Sequence, residues 1–181
     1  MHDYDLADIL NGKYDQLFSS ETIQERVKEL ARDISSDYQG KCPILIGVLN
    51  GAFIFMADVV KRITIDCEVD FIKISSYRNE KVSSGKIDIL KDIDCHLKGR
   101  DVLVIEDIVD SGLSVKYLER KIRARHPKSL KFVSLLRKKG AAKIDFEIDY
   151  LGFWIPDEFV VGYGLDFAQK FRNLPAIYIL K

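Results

Sequence analysis

VLVIEDIVDSGLSVKYLERKIR, from Val102 to Arg123, decides how this chain folds. Val102-Leu-Val-Ile105 is a short continuous apolar run, the pattern of a strand buried on both faces. Two carboxylates, Glu106 and Asp107, close it. A third follows at Asp110, with Ser111, Gly112 and Ser114 behind it. From Leu113 to Arg125 the residues Val115, Leu118 and Ile122 recur at helical spacing, until Pro127 stops the helix. Strand, polar turn and helix in that order are one unit of an α/β sheet.

The alternation continues on both sides. Ile23, Val27, Leu30, Ala31 and Ile34 predict an amphipathic helix over 21–36, started by Ser20 or Thr22. Pro43-Ile-Leu-Ile-Gly-Val-Leu49 predicts a buried strand, Gly51 to Arg62 a helix, and Val69 to Ile74 a strand. Leu130 to Leu136 and Tyr150 to Phe153 predict further strands. Strands separated by helices pair in parallel, so the expected fold is α/β, a mainly parallel twisted sheet flanked by helices. Between Ser75 and Lys86, SSYRNEKVSSGK is polar and patternless, an excursion that is either functional or merely solvated.

Composition narrows the class. A chain of 181 residues with 47% hydrophobic content can bury one sizeable core. Twenty-eight basic residues balance 28 acidic ones, which argues against a nucleic-acid partner. No apolar run approaches the roughly 18–20 residues that span a bilayer, so no membrane partner is expected. MHDYDLADIL lacks a basic apolar leader, so no secretion signal is expected and the location should be cytoplasmic. Cys42, Cys67 and Cys95 lack metal-type spacing and are expected to be reduced and mostly packed. His2, His96 and His126 are scattered and are read as neither ligands nor catalysts.

In an open parallel sheet, ligands bind beyond the carboxyl ends of the strands. The turn after Asp107 leads into a helix N-terminus, where free N–H groups and the helix dipole suit a phosphate. Gly112 permits close backbone approach, and Ser111 and Ser114 add hydroxyl donors. Glu106 and Asp107 would repel a phosphate, yet they are good acceptors for the cis hydroxyls of a ribose. The stretch therefore reads as a holder for a sugar 5′-phosphate. Spacing alone leaves open a plain strand end with Asp110 capping the helix.

The pattern of four apolar residues, Glu-Asp, two apolar residues and Asp-Ser-Gly-x-Ser resembles the phosphoribosyl-diphosphate signature of type I phosphoribosyltransferases. LNGAFIFMADVV (49–60), SSY (75–77), LLRKK (135–139) and PDEFVVGYGLDFAQKFRNLP (156–175) are similar to successive segments of the hypoxanthine-guanine phosphoribosyltransferases. The resemblance implies one domain over 1–181, with a core at about 40–150. A small hood would come from the N-terminal segment and about 151–181. It further implies transfer of ribose 5-phosphate from phosphoribosyl diphosphate to N9 of a 6-oxopurine, with Mg²⁺, in a homodimer or homotetramer.

Roles follow by resemblance. Glu106 and Asp107 hold the ribose hydroxyls, and Asp110, Ser111, Gly112, Leu113 and Ser114 wrap the 5′-phosphate. Asp110 also serves purine N7 as general acid or base. Asn50, Gly51 and Arg172 meet the diphosphate, with a non-proline cis peptide expected at Leu49-Asn50. Lys138 donates to O6, Phe159 stacks on the base, Val160 meets its edge, and Asp166 lies beside it. Glu106, Asp107 and Asp166 are the expected metal ligands, and Ser76 and Tyr77 belong to a loop over the site. Plain alternatives are a solvated Lys138 and a surface ion pair between Asp166 and Arg172. Asn50 stands where some relatives carry lysine, and Leu113 where a basic residue sometimes appears. Two other functions remain in view, an enzyme for xanthine and a nucleic-acid-binding regulator on the same fold. The neutral composition speaks against the second.

Overall fold

The computed structural model describes residues 14–76, 87–139 and 147–180. Its elements run β1 (Asp15–Phe18), α1 (Ser20–Asp37), β2 (Ile44–Leu49), α2 (Phe53–Val60), β3 (Glu68–Ser76) and β4 (Ile87–Lys91). They continue with β5 (Asp101–Val109), α3 (Leu113–Arg123), β6 (Ser129–Lys138), β7 (Tyr150–Ile155), β8 (Phe159–Val161) and β9 (Ile177–Leu180). Six strands form the central sheet in the order β4-β3-β2-β5-β6-β7, parallel except for β4. A second, antiparallel sheet joins β1, β9 and β8.

The strand alternation sorts residues between two faces. Leu45, Leu103, Ile105 and Val133 pack with Ile23, Val27, Leu30 and Ile34 of α1 and with Phe55 and Met56 of α2. Ile44, Ile46, Val102 and Val104 turn the other way, onto Val115, Leu118 and Ile122 of α3. Each of these side chains is at most 2% exposed, and each contributes on the order of 1.5–3 kcal/mol of burial free energy. The two apolar runs predicted as strands are apolar throughout because both of their faces are covered.

Several boundaries differ from the sequence reading. The N-cap of α1 is Ser19, whose hydroxyl accepts the Thr22 N–H at 3.2 Å, in place of Ser20 or Thr22. β5 continues through Glu106 and Asp107 to Val109, because Glu106, Ile108 and Val109 keep their pairing with β6. Residues 150–155 belong to the central sheet, and the two C-terminal strands of the small sheet, β8 and β9, follow Ile155. Of the cysteines, Cys42 is exposed, while Cys67 and Cys95 are half-buried, and all three are free. Among the described residues, no helix is long and apolar enough to cross a membrane.

One buried carboxylate staples the edge of the sheet. Asp70 on β3 accepts the N–H groups of Phe71 (2.7 Å), Asp94 (2.7 Å) and Cys95 (2.9 Å), and pairs with Lys91 at 3.2 Å. Burial opposes its charge, but these donors outweigh it and hold its pKa down to about 2. The folded pKa lies below the unfolded one of about 3.9, so the stabilisation is complete above pH 4 and lost as pH falls toward 2. Urea denaturation of Asp70→Asn should show a loss of about 1–3 kcal/mol at pH 7, shrinking at pH 2.5. An equal loss at both pH values would contradict the ionised staple.

Candidate active site

The carboxyl ends of β2, β5 and β6 point into one region. Gly51 follows the end of β2, across the cis peptide Leu49-Asn50. A Cβ on Gly51 would stand 1.6 Å from Asp107 Oδ2, so only glycine lets this turn lie against the carboxylate. Asp107 Oδ1 accepts the Ile108 N–H at 2.9 Å. Glu106 beside it is 6% exposed. Burial, then the neighbouring Asp107 charge, pushes Glu106 well above the usual carboxylate range. Burial pushes Asp107 up to about 6, against the N–H bonds it accepts and the pull of Arg172. This pair holds its negative charge at a cost that donors from a ligand would relieve.

The turn after β5 behaves as its composition suggests. Gly112, not Asp110, is the N-cap of α3, in a left-handed conformation with φ 72° and no side-chain cap. The plain reading of Asp110 as a helix cap is thereby overturned. The first N–H groups of α3 open toward the residue 110–114 turn, where Ser111 and Leu113 are exposed and Ser114 is half-buried.

A cavity of about 650 Å³ lies beside this turn, lined in part by Asp107, Asp110, Lys138, Phe159, Val160 and Asp166. The end of β6 supplies Lys138, whose side chain is only 14% exposed. Its ammonium sits 3.6 Å from Asp110 and 3.0 Å from Asp157. Lys138 is therefore a paired, half-buried group, not a solvated lysine. Phe159 opens β8 and is 47% exposed, its ring edge-on to Phe167 at 5.9 Å between centroids. Val160, next to it, is buried. Asp157 escaped the sequence reading. The available signal was an acid two residues before Phe159, in a segment already singled out.

Asp166 and Arg172 form an ion pair at 2.7 Å with side chains 26% and 18% exposed, half-buried rather than on the open surface. Arg172 also donates to the Gly164 carbonyl at 2.8 Å. Among the described residues, no three acidic, histidine or cysteine side chains converge as a ready metal cage. Asp166 is turned to Arg172, while its charge still reaches Asp107. The donors nevertheless fit Mg²⁺, which takes one or two carboxylate oxygens and completes its shell with water and substrate phosphate. Asn50 is exposed, and Ser76 closes β3 opposite Ile87. Tyr77 and the remainder of the expected loop over the site lie outside the described residues.

Residues 13–168 match the phosphoribosyl transferase domain family. The hypoxanthine-guanine phosphoribosyltransferase of Bacillus subtilis is 52% identical over 165 residues, covering 91% of this chain and 92% of the relative. A hypoxanthine-guanine phosphoribosyltransferase from Bacillus anthracis, solved with HEPES in its active site, superposes with TM-score 0.88 at 47% identity. That match covers 92% of this chain and 98% of the other. A hypoxanthine phosphoribosyltransferase from Staphylococcus aureus does so with TM-score 0.90 at 40% identity, covering 98% and 97%. On these matches the chain belongs to the phosphoribosyl transferase family, among the hypoxanthine-guanine enzymes of purine salvage.

Proposed function

We propose that the whole chain, as one domain, transfers ribose 5-phosphate from phosphoribosyl diphosphate to N9 of hypoxanthine or guanine. The products are the purine nucleoside 5′-monophosphate and free inorganic diphosphate, which leaves from C1′. One observation carries the choice of base. Lys138 and Asp110 are neighbours in the cavity, at 3.6 Å, just as O6 and N7 are neighbours on one edge of a 6-oxopurine. A donor and a carboxylate placed side by side suit that edge, with the Phe159 ring for its face.

In this reading Glu106 and Asp107 accept hydrogen bonds from the ribose hydroxyls. The 5′-phosphate lies on the N–H groups and hydroxyls of residues 110–114. The Gly51 turn, Asn50 and Arg172 receive the diphosphate, and Asp166 sits between it and the base. Mg²⁺, when bound, neutralises charge on the leaving diphosphate. Asp110 manages the proton at N7 while C1′ becomes cation-like. We place the enzyme in the cytoplasm, as a homodimer or homotetramer, with Ser76 and Tyr77 in a loop that covers the site.

The direct test mixes the protein with phosphoribosyl diphosphate, Mg²⁺ and each nucleobase in turn, and measures the nucleotide formed. No nucleotide from either hypoxanthine or guanine would end this reading. Asp110→Asn keeps the shape but not the base, and should slow single-turnover chemistry by about tenfold or more. Single-turnover rates are required because slow product release would mask the effect in kcat. Wild-type chemistry in Asp110→Asn would remove Asp110 from the proton transfer.

A further inference from the structure

Behind the site, a buried polar cluster joins three segments that are far apart in sequence. Asp58 on α2 is 8% exposed. Its carboxylate accepts the Tyr163 hydroxyl at 2.6 Å and the Gln24 amide from α1 at 2.8 Å. Lys61 and Arg62 stand 2.7 Å and 3.5 Å from its other oxygen. Tyr163, itself 3% exposed, follows β8 in the loop that leads to Asp166. None of these side chains borders the cavity of the site. A second cavity, of about 530 Å³ between α1 and residues 62–65, gathers none of the site residues.

The loop bearing Tyr163 is closely held. Tyr163 has φ 50° and Gly164 φ 100°, conformations that need support from their surroundings when the residue is not glycine. The Tyr163 N–H donates to Leu174 at 2.8 Å and the Gly164 N–H to Arg172 at 2.9 Å. A Cβ on Gly164 would meet the Gly51 carbonyl oxygen at 2.1 Å, so the two turns are in backbone contact. Gly51 itself lies two residues before α2, the helix that carries Asp58. The phenol therefore closes a ring: α2 to Tyr163, Tyr163 to Gly164, Gly164 to Gly51, and Gly51 back to α2.

We propose that Asp58 and Tyr163 are a positioning pair that sets the distance between the Gly51 turn and the Asp166–Arg172 pair, and so shapes the diphosphate half of the site. This rests on the transfer reading above. Both residues act through others, since neither side chain reaches the cavity. Burial opposes the Asp58 charge, but the Gln24, Lys61 and Tyr163 donors outweigh it and keep the carboxylate ionised. The acceptor that the phenol needs is thus present across the neutral pH range.

Calorimetry with two probes separates the halves of the site. Magnesium diphosphate reports on the Gly51 and Arg172 side. Guanosine monophosphate reports on the base, ribose and 5′-phosphate side. Tyr163→Phe should weaken magnesium diphosphate binding about fivefold or more, as expected for loss of a positioning contact, and leave guanosine monophosphate within twofold. Asp58→Asn keeps an acceptor for the phenol and should fall between wild type and Asp58→Ala. A merely structural role would lower the melting temperature of the variants without this split. Affinities for both probes within twofold of wild type, or equal losses on both, would overturn the pair. Should Tyr163→Phe not fold, Asp58→Asn decides by the same comparison. Failure of the transfer reading itself shows separately, as wild-type protein that forms no nucleotide.

Discussion

Adenine should be used about a hundredfold or more less efficiently than hypoxanthine, in kcat/KM, by the wild-type protein. Lys138 has three N–H donors and no acceptor. It meets a carbonyl at position 6 of hypoxanthine or guanine, but an amino group at the same place in adenine. Donor would then face donor in a half-buried site, which costs about 1–3 kcal/mol and more where one group is charged. The different protonation of N1 adds to the discrimination. Asp110 and Asp157 sharpen the effect, because they hold the ammonium at 3.6 Å and 3.0 Å instead of leaving it free to swing away. Guanine should be accepted, its 2-amino group meeting backbone acceptors near Val160. Xanthine, with oxygen in that position, should be poor. Lys138→Ala should lose most of the preference for a 6-oxo base. Adenine turnover within tenfold of hypoxanthine would remove both the role of Lys138 and the substrate class.

Removal of divalent metal should abolish turnover, and Mg²⁺ should restore it. The diphosphate is highly charged, and the described cations near it are few. Arg172 is already paired with Asp166 at 2.7 Å, and Asn50 is uncharged. On the other side stand two adjacent acids, Glu106 buried and Asp107 half-buried, both pushed toward the protonated form by desolvation. Whatever their protonation, these acids offer the diphosphate no positive charge, so its charge must be balanced from elsewhere. Because no described carboxylate trio is preassembled, the ion should arrive with the substrate phosphates and bind weakly to the free protein. Assays in EDTA, with residual metal measured, should show no nucleotide. Calorimetry should show the Mg²⁺ affinity rising once diphosphate is present. Full activity in EDTA with metal shown absent would refute the scheme.

Much of this arrangement was written along the chain because it is local. The helices and buried strands are periodic over a few residues, and Ile23, Val27, Leu30 and Ile34 each turned inward as their spacing requires. The Glu106 to Ser114 signature is a single stretch, so a role for it could be proposed before any fold was known. Edge and hood strands were harder. β4 is a short antiparallel edge, β1 pairs with β9 across nearly the whole chain, and β8 is only three residues long, so no local period announces them.

What the amino-acid order determined by itself was the α/β alternation and the acid-rich end of β5 with its turn, together with the family resemblance that proposes base contacts in 135–139 and 156–175. Their meeting was decided by tertiary structure alone. Lys138 and Asp157 are 19 residues apart, and Asp58 and Tyr163 are 105 apart. Gly51 had to be glycine because Asp107 fills the space where its side chain would be. Such contacts depend on how packed layers bring distant turns together, and on what burial does to a charge once they meet. A carboxylate such as Asp107 has an ordinary pKa in the open chain and one near 6 only at the end of the folded β5 strand.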